Sequence, residues 1–174
     1  MEEIELAGAD TFIFRAALAG SASIYRDIEL EPAKSLYALA EAIVSAFNFD
    51  FDHAFGFYTG LTLAKMHKTF PKYELFADMG HADPGVLGVK KTRISQAFPE
   101  TGHTMLFLFD YGDAWPFRVT LRTIGKKSPK VRYPRVMTTR GEAPAQYPDD
   151  DEDPDDRPSF GIDPRTGEKI WFEK

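Results

Sequence analysis

Two carboxylates, Asp110 and Asp113, stand three residues apart around Tyr111-Gly112, with Trp115 just beyond them. A pair at that spacing can share a cation or divide the roles of general acid and general base. His53, in Asp50-Phe51-Asp52-His53, adds a neutral ligand or a base if its segment neighbours that turn. Arg118 and Arg122 follow and would flank such a site with positive charge. The candidate ligand-binding set is therefore His53, Asp110, Asp113, Trp115, Arg118 and Arg122. The same residues also have an ordinary structural use. Aspartate forms turns by bonding nearby backbone N–H groups, Gly112 would supply a positive φ, and Trp115 would fill the core rim. The residues alone leave both uses open.

Other chemistries find little support. The four histidines, His53, His67, His81 and His103, show no H-x-x-x-H or H-E-x-x-H spacing. No cysteine is present, which removes disulfides, thiolate metal sites and thiol nucleophiles together. Neither a phosphate-binding glycine loop nor a G-x-S-x-G element occurs. No metal and no cofactor is expected from these patterns. No apolar run approaches the roughly 18 residues of a membrane span, and the start MEEIELAGAD has no signal-like basic and apolar regions. A cytoplasmic chain without membrane contact is the expectation.

The elements that must position the candidates are legible in outline. Met105–Phe109 is an unbroken apolar run. Beyond the Asp-Tyr-Gly-Asp turn, Phe117, Val119 and Leu121 alternate with Arg118, Thr120 and Arg122. This is the pattern of a buried strand, a turn and a half-buried antiparallel strand. Thr11–Leu18 and Ser23–Leu30 predict a hairpin, with Arg26 breaking an apolar face, as at a sheet edge or near a strand end. Ser35 is placed to cap a helix ending at Phe47, whose Leu36, Leu39, Ala40, Ile43 and Phe47 form one stripe. Asn48 would stop it. Phe55 and Phe57 predict a strand after His53, and Tyr73–Phe76 a short one. Leu61–Phe70 and Thr92–Phe98 predict short helices, the latter capped by Thr92. Pro134 limits Val131–Met137 to an edge strand. The expected fold is α+β, a mostly antiparallel sheet with one main amphipathic helix packed on it and one or two short helices. Residues 1–148 would form a single domain. Residues 149–174 would be an acidic linker, continuing the Pro-rich stretch from Gly141, and a short hairpin-like tail.

Charge is segregated along the chain. Of the net −6, residues 149–174 carry all of it, with ten acidic and four basic side chains, while residues 1–148 balance at seventeen each. Arg118–Arg140 holds eight cations and no acid. Such a block can meet phosphates, with Tyr133 as a stacking surface, or it can be a solvated face balanced by the acidic tail. The sequence pI near 5.2 is low for a nucleic-acid-binding domain.

Several motifs resemble one family. Ser35-Leu36 through Ala46-Phe47, followed by Asp50-Phe51-Asp52-His53 and Phe57, is similar to its L-x-x-L-x-x-x-I-x-x-A-F helix and D-D-H-x-x-x-F segment. Phe109-Asp110-Tyr111-Gly112-Asp113-Ala114-Trp115 resembles its Y-D-F-G-D-x-W signature. Tyr133-Pro134-Arg135 with Gly141 resembles its Y-P-x-C-x-x-G region. This is the Ri-plasmid third-open-reading-frame-like family, found on plasmids, mobile elements and chromosomes. The resemblance covers roughly residues 10–148 and implies an α+β fold without an established activity. Val136 and Ala143-Pro144 stand where many members carry cysteines, so a thiolate site in relatives cannot operate here. The leading expectation is a non-enzymatic binding or interaction domain for an unknown protein or small-molecule ligand. The alternatives are a nucleic-acid-binding accessory of mobile elements and a metal-dependent hydrolase using Asp110 and Asp113.

Overall fold

The computed structural model describes residues 11–147, 159–163 and 165–172. Strands β1 (Thr11–Leu18) and β2 (Ser21–Leu30) form the first hairpin, and α1 (Leu36–Ala46) follows. Then come β3 (Phe55–Tyr58), α2 (Leu63–Met66), β4 (Lys72–Glu74), α3 (Leu75–Asp78), β5 (Leu87–Gly88) and α4 (Ile94–Ala97). The central hairpin is β6 (Thr104–Phe109) and β7 (Trp115–Gly125), followed by β8 (Arg135–Arg140). Strands β9 (Ser159–Ile162) and β10 (Lys169–Phe172) pair with each other in a separate two-stranded sheet. The large sheet has eight strands in the order β5-β4-β3-β6-β7-β1-β2-β8, antiparallel except for the β4–β5 pair. The protein is thus a mixed α and β fold with four helices among the described residues. None of them is long and apolar enough to cross a membrane.

The central hairpin lies in mid-sheet because both faces of β6 are apolar. Met105, Phe107 and Phe109 join the core with α1, and Leu106 and Leu108 pack on the other face with Tyr58 and Met66. That explains its unbroken hydrophobic run, since a strand covered on both sides does not alternate. β7 does alternate: Phe117, Val119 and Leu121 are buried, while Arg118 and Thr120 are half-buried and Arg122 is exposed. The core is largely aromatic, with Phe107 5.8 Å from Phe55 and 5.9 Å from Phe117. Ser35 caps α1 by accepting the Ala38 N–H at 3.3 Å, and Leu36, Leu39, Ala40, Ile43 and Val44 are buried. Asn48 at φ 57° ends the helix, in the left-handed conformation that Asn tolerates at a C-terminal cap.

Four local expectations need correction. Arg26 lies neither on an edge strand nor near a strand end, because β8 pairs outside β2 and Arg26 sits in the middle of Ser21–Leu30, where it is 3% exposed. Its guanidinium donates to the carbonyls of Ala46, Tyr25, Arg140 and Gly141 at 2.9–3.1 Å and lies 4.6 Å over the Phe47 ring. A cation there completes acceptors at the C-terminal end of α1, where the helix dipole favours it. The strand expected over Tyr73–Phe76 ends at Glu74, and the chain turns into α3 so that Phe76 packs on Tyr111 at 5.3 Å. Thr92 does not cap α4. Its hydroxyl donates to Gly88 O at 2.7 Å, leaving Arg93 at the cap position. The stretch after Gly141 is not simply a solvated linker. Ala143 packs on the core, and Gln146 exchanges two hydrogen bonds with the backbone of Asp50, at 2.6 and 3.0 Å. The acidic run Asp149–Asp153 lies outside the described residues.

Candidate functional site: the rim around Asp110

Phe109 pairs with Trp115 across the end of the central hairpin, and residues 110–114 make the turn. Asp110 opens it at φ 62°, a left-handed conformation that a short polar side chain relieves by bonding locally. Its Oδ1 accepts the N–H groups of Gly112 at 3.0 Å and Asp113 at 3.2 Å, and Ala114 N–H donates to Asp110 O at 2.7 Å. The positive φ expected at Gly112 falls instead on Asp110 and on Ala114, at φ 54°. Gly112 is tight for another reason, since a Cβ there would sit 3.3 Å from Asp110 Oδ1. Tyr111 anchors the turn from the opposite face, its hydroxyl 2.7 Å from that of buried Tyr58, which donates to Glu74 at 3.0 Å.

The Asp110 N–H donates to Ala54 O at 3.0 Å and so fastens the Asp52-His53 segment to the turn. The second carboxylate oxygen of Asp110, whose side chain is 5% exposed, then faces His53 Nε2 at 3.6 Å. On the other side of the ring, Nδ1 lies 2.7 Å from Asp52 Oδ1. Gln146 delivers Tyr147, whose hydroxyl donates to Asp52 Oδ2 at 2.9 Å and stands 3.1 Å from His53 Nδ1. The imidazole is thus set between two carboxylates while its side chain stays 41% exposed.

These contacts set the charge states. The hydrogen bond to Asp52 raises the His53 pKa above its usual value, against some desolvation, and the negative charges of Asp110, Asp52 and Asp113 add to the rise. Asp52 is held below its usual value despite partial desolvation, through its bonds with His53 and Tyr147. Desolvation, the bond to Asp52 and the charge of Asp52 push the Tyr147 phenol up to about 12. Because His53 gains protons on folding, its contribution to stability is complete below pH about 6.5 and is lost as pH rises through its higher folded value. The Asp52 contribution is present above pH about 3.8 and is lost as pH falls through its lower folded value. In an NMR titration, Asp52→Asn is expected to lower the His53 pKa. An unchanged midpoint would mean that Asp52 does not hold the ring.

Trp115, 5% exposed, packs on Phe49 at 4.9 Å, and its Nε1 has no hydrogen-bond partner among the described residues. Lys169, from the C-terminal hairpin, places its ammonium 4.4 Å over the indole and donates to the Asp113 carbonyl. Burial lowers the Lys169 pKa to about 8 against the opposing charges of Asp113 and Asp110. The hairpin approaches the body closely elsewhere as well. A Cβ on Gly167, at φ 72°, would fall 2.2 Å from Leu63 N, and Arg118 Nη2 lies 3.5 Å from Glu168 Oε1.

The structure therefore brings His53, Asp110, Asp113 and Trp115 to one rim, with Arg118 beside it in contact with the hairpin. Arg122 stands seven positions along β7 from Trp115, about 23 Å at ~3.3 Å per residue, and lies outside the group. Asp52, Tyr147 and Lys169 belong to the rim although spacing did not single them out. A tyrosine and a glutamine inside an otherwise Pro-rich polar stretch were the available signal for Tyr147. No group of three or more His, Asp or Glu side chains among the described residues is arranged to hold a metal ion. Two clefts of ≈ 200 and ≈ 170 Å³ meet at Pro134 beside α1, away from this rim. Both are smaller than the roughly 300 Å³ at which ligand pockets begin.

The crystal structure of a protein of unknown function, MM3350 from Methanosarcina mazei Go1, is similar over 76% of this chain and 70% of its own, with a TM-score of 0.61 and 19% identity. At that identity the likeness concerns the fold alone. No curated protein matches. The family model described as plasmid pRiA4b ORF-3-like protein matches residues 11–151, a span holding the whole eight-stranded sheet, the Asp110 turn, the Asp52-His53 segment and Tyr147. The chain belongs to the plasmid pRiA4b ORF-3-like protein family.

Proposed function

We propose that the chain is a non-enzymatic binding domain whose recognition surface is the rim of His53, Asp110, Asp113 and Trp115. One observation carries the reading: polar groups from four separate chain segments, at positions 52–53, 110–115, 147 and 169, converge on one exposed imidazole edge and one indole. Convergent polar groups beside an aromatic surface are what recognition of a polar ligand requires. The main helix, α1, supports the rim from below, since Phe47 at its end packs on Phe117 at 4.8 Å.

The charged and hydrogen-bonding groups of the rim suit recognition of a polar ligand. The bond to Asp52 raises the His53 pKa and so strengthens the ring as a hydrogen-bond donor. The Tyr147 phenol, at about 12, stays protonated and is no activated nucleophile. Asp110 spends one oxygen on its own turn. Acid–base work by Asp110 would rest on its second oxygen facing His53 at 3.6 Å. The exposed Asp113 has its main-chain carbonyl engaged by Lys169. A nucleic-acid surface on the Arg118–Arg140 block draws less support, because Arg118, Lys127 and Arg135 each pair with a glutamate.

The test is an NMR fragment screen of the full chain with small amines, carboxylates and nucleosides. Shifts are expected to gather at Asp52-His53, Asp110–Trp115 and Tyr147, and to weaken in His53→Ala. Shifts confined to the Arg122–Arg140 side, or none at all, would overturn the proposal.

A further inference from the structure

We propose that the Trp115 face and the carboxylates of Asp110 and Asp113 form a site for a primary alkylammonium group, and that Lys169 of the chain's own hairpin is its resident occupant. This names the ligand class of the rim and rests on the reading of that rim as a binding surface.

The seated cation is the first argument. The Lys169 ammonium lies 4.4 Å over the indole and donates to the Asp113 carbonyl, and both Asp113 and Asp110 attract it electrostatically. An ammonium over an indole is a recognised mode of cation binding, worth more as water is excluded. The indole beneath it is nine-tenths buried, with its N–H unpartnered among the described residues.

The occupant's attachment is the second argument. β9 and β10 have four residues each and pair only with each other among the described residues. A lone two-stranded hairpin is marginally stable in water, so this one depends on its contacts with the body. Those contacts include Lys169 itself, the partly exposed Arg118–Glu168 pair and the close approaches of Gly167 to Leu63 and of Gly20 to the Lys169 carbonyl. Lifting the hairpin breaks no hydrogen bond of the eight-stranded sheet.

The third argument is the cost of the present occupant. The folded Lys169 value near 8 lies below its ordinary 10.5. Docking therefore strengthens as pH rises from about 8 to 10.5, and at neutral pH it carries the full cost of burying the charge. Lifting the hairpin takes Lys169 with it and leaves the ring and the Asp113 carbonyl without the cation now seated on them. External amine and Lys169 thus compete for one place, and release of the hairpin is the consequence of binding.

The test uses full-length protein carrying Trp171→Phe, so that Trp115 supplies the one indole resonance. In Lys169→Ala, n-butylammonium is expected to shift that resonance saturably. Affinity in the Lys169 parent should be about tenfold weaker, because the place is taken, and n-butanol should give no saturable shift. Adding Asp113→Asn should weaken butylammonium binding by roughly threefold, the scale of one exposed charge pair. If Lys169→Ala also loosens the hairpin, the site is only more open and the readout stands. A Gly-Lys-Gly peptide binding more tightly than butylammonium points to a protein's lysine as the source. Equal binding points to a free amine. No saturable shift with butylammonium, or an equal one with butanol, overturns the proposal. If fragments still shift His53 and Asp113 while butylammonium does not, the cation site falls and the binding surface stands. If nothing shifts the rim, both fall.

Discussion

Phe117→Ala is expected to destabilise the protein by about 3–5 kcal/mol, the range for truncating a buried phenylalanine. The side chain is fully buried, and its ring centroid lies 4.8 Å from Phe47, 5.9 Å from Phe107 and 6.5 Å from Phe49. It joins the C-terminal end of α1 to the central hairpin, so three rings on two different elements would lose a neighbour. Edge-to-face and offset ring pairs add to the loss of buried area. The surrounding side chains are large and already interlocked, which limits how far the cavity can collapse. The effect should reach the rim as well, since Phe49 touches Phe117 and also supports Trp115 at 4.9 Å. Urea unfolding should show a lower midpoint with an unchanged slope, together with a shifted Trp115 indole resonance in the folded state. A loss below about 1 kcal/mol would mean that the site repacks and that this aromatic joint is not what fixes α1 on the sheet.

Asp110→Ala should lose about 2–3 kcal/mol, and Asp110→Asn about 1 kcal/mol or less. The alanine removes the acceptor for two turn amides and also leaves a methyl side chain at φ 62°, where the left-handed conformation costs roughly 1–2 kcal/mol. Asparagine keeps an amide oxygen for Gly112 and Asp113 and tolerates that conformation. Both variants remove the negative charge facing His53, so both should lower the His53 pKa by a similar amount. Unfolding measurements and an NMR titration on the pair of variants therefore separate the two uses of one carboxylate. Equal stabilities would show that the turn does not depend on Oδ1. An unmoved His53 in both variants would show that the 3.6 Å approach carries no electrostatic weight.

Asp110 is a turn former and a rim carboxylate at once, because a carboxylate has two oxygens and the backbone amides take only one of them. Asp113, by contrast, contributes its main-chain carbonyl to Lys169 and leaves its side chain exposed.

The strands of the central hairpin, the capped helix with its apolar stripe, and the family are all legible in the residues themselves. Each of these depends on local periodicity, a capping residue or a short motif, all of which lie within a few turns of chain. His53, Asp110, Asp113 and Trp115 also stand out in the sequence, because their residue types and spacing are chemically expressive. That His53 meets Asp110 depends on a backbone bond from Asp110 to Ala54, across 56 positions of the chain. Tertiary structure also recruits Tyr147, through the clamp of Gln146 on Asp50, and Lys169, through the docking of a hairpin whose pairing says nothing about where it sits. Arg26 is the clearest case. As a charged residue in an apolar strand it reads as a sign of a sheet edge or strand end, yet carbonyls of its neighbour Tyr25 and of two other segments, Ala46 and Arg140-Gly141, surround it. Periodicity records which face of an element is apolar; it holds no record of which distant acceptors, carboxylates or rings will be waiting there.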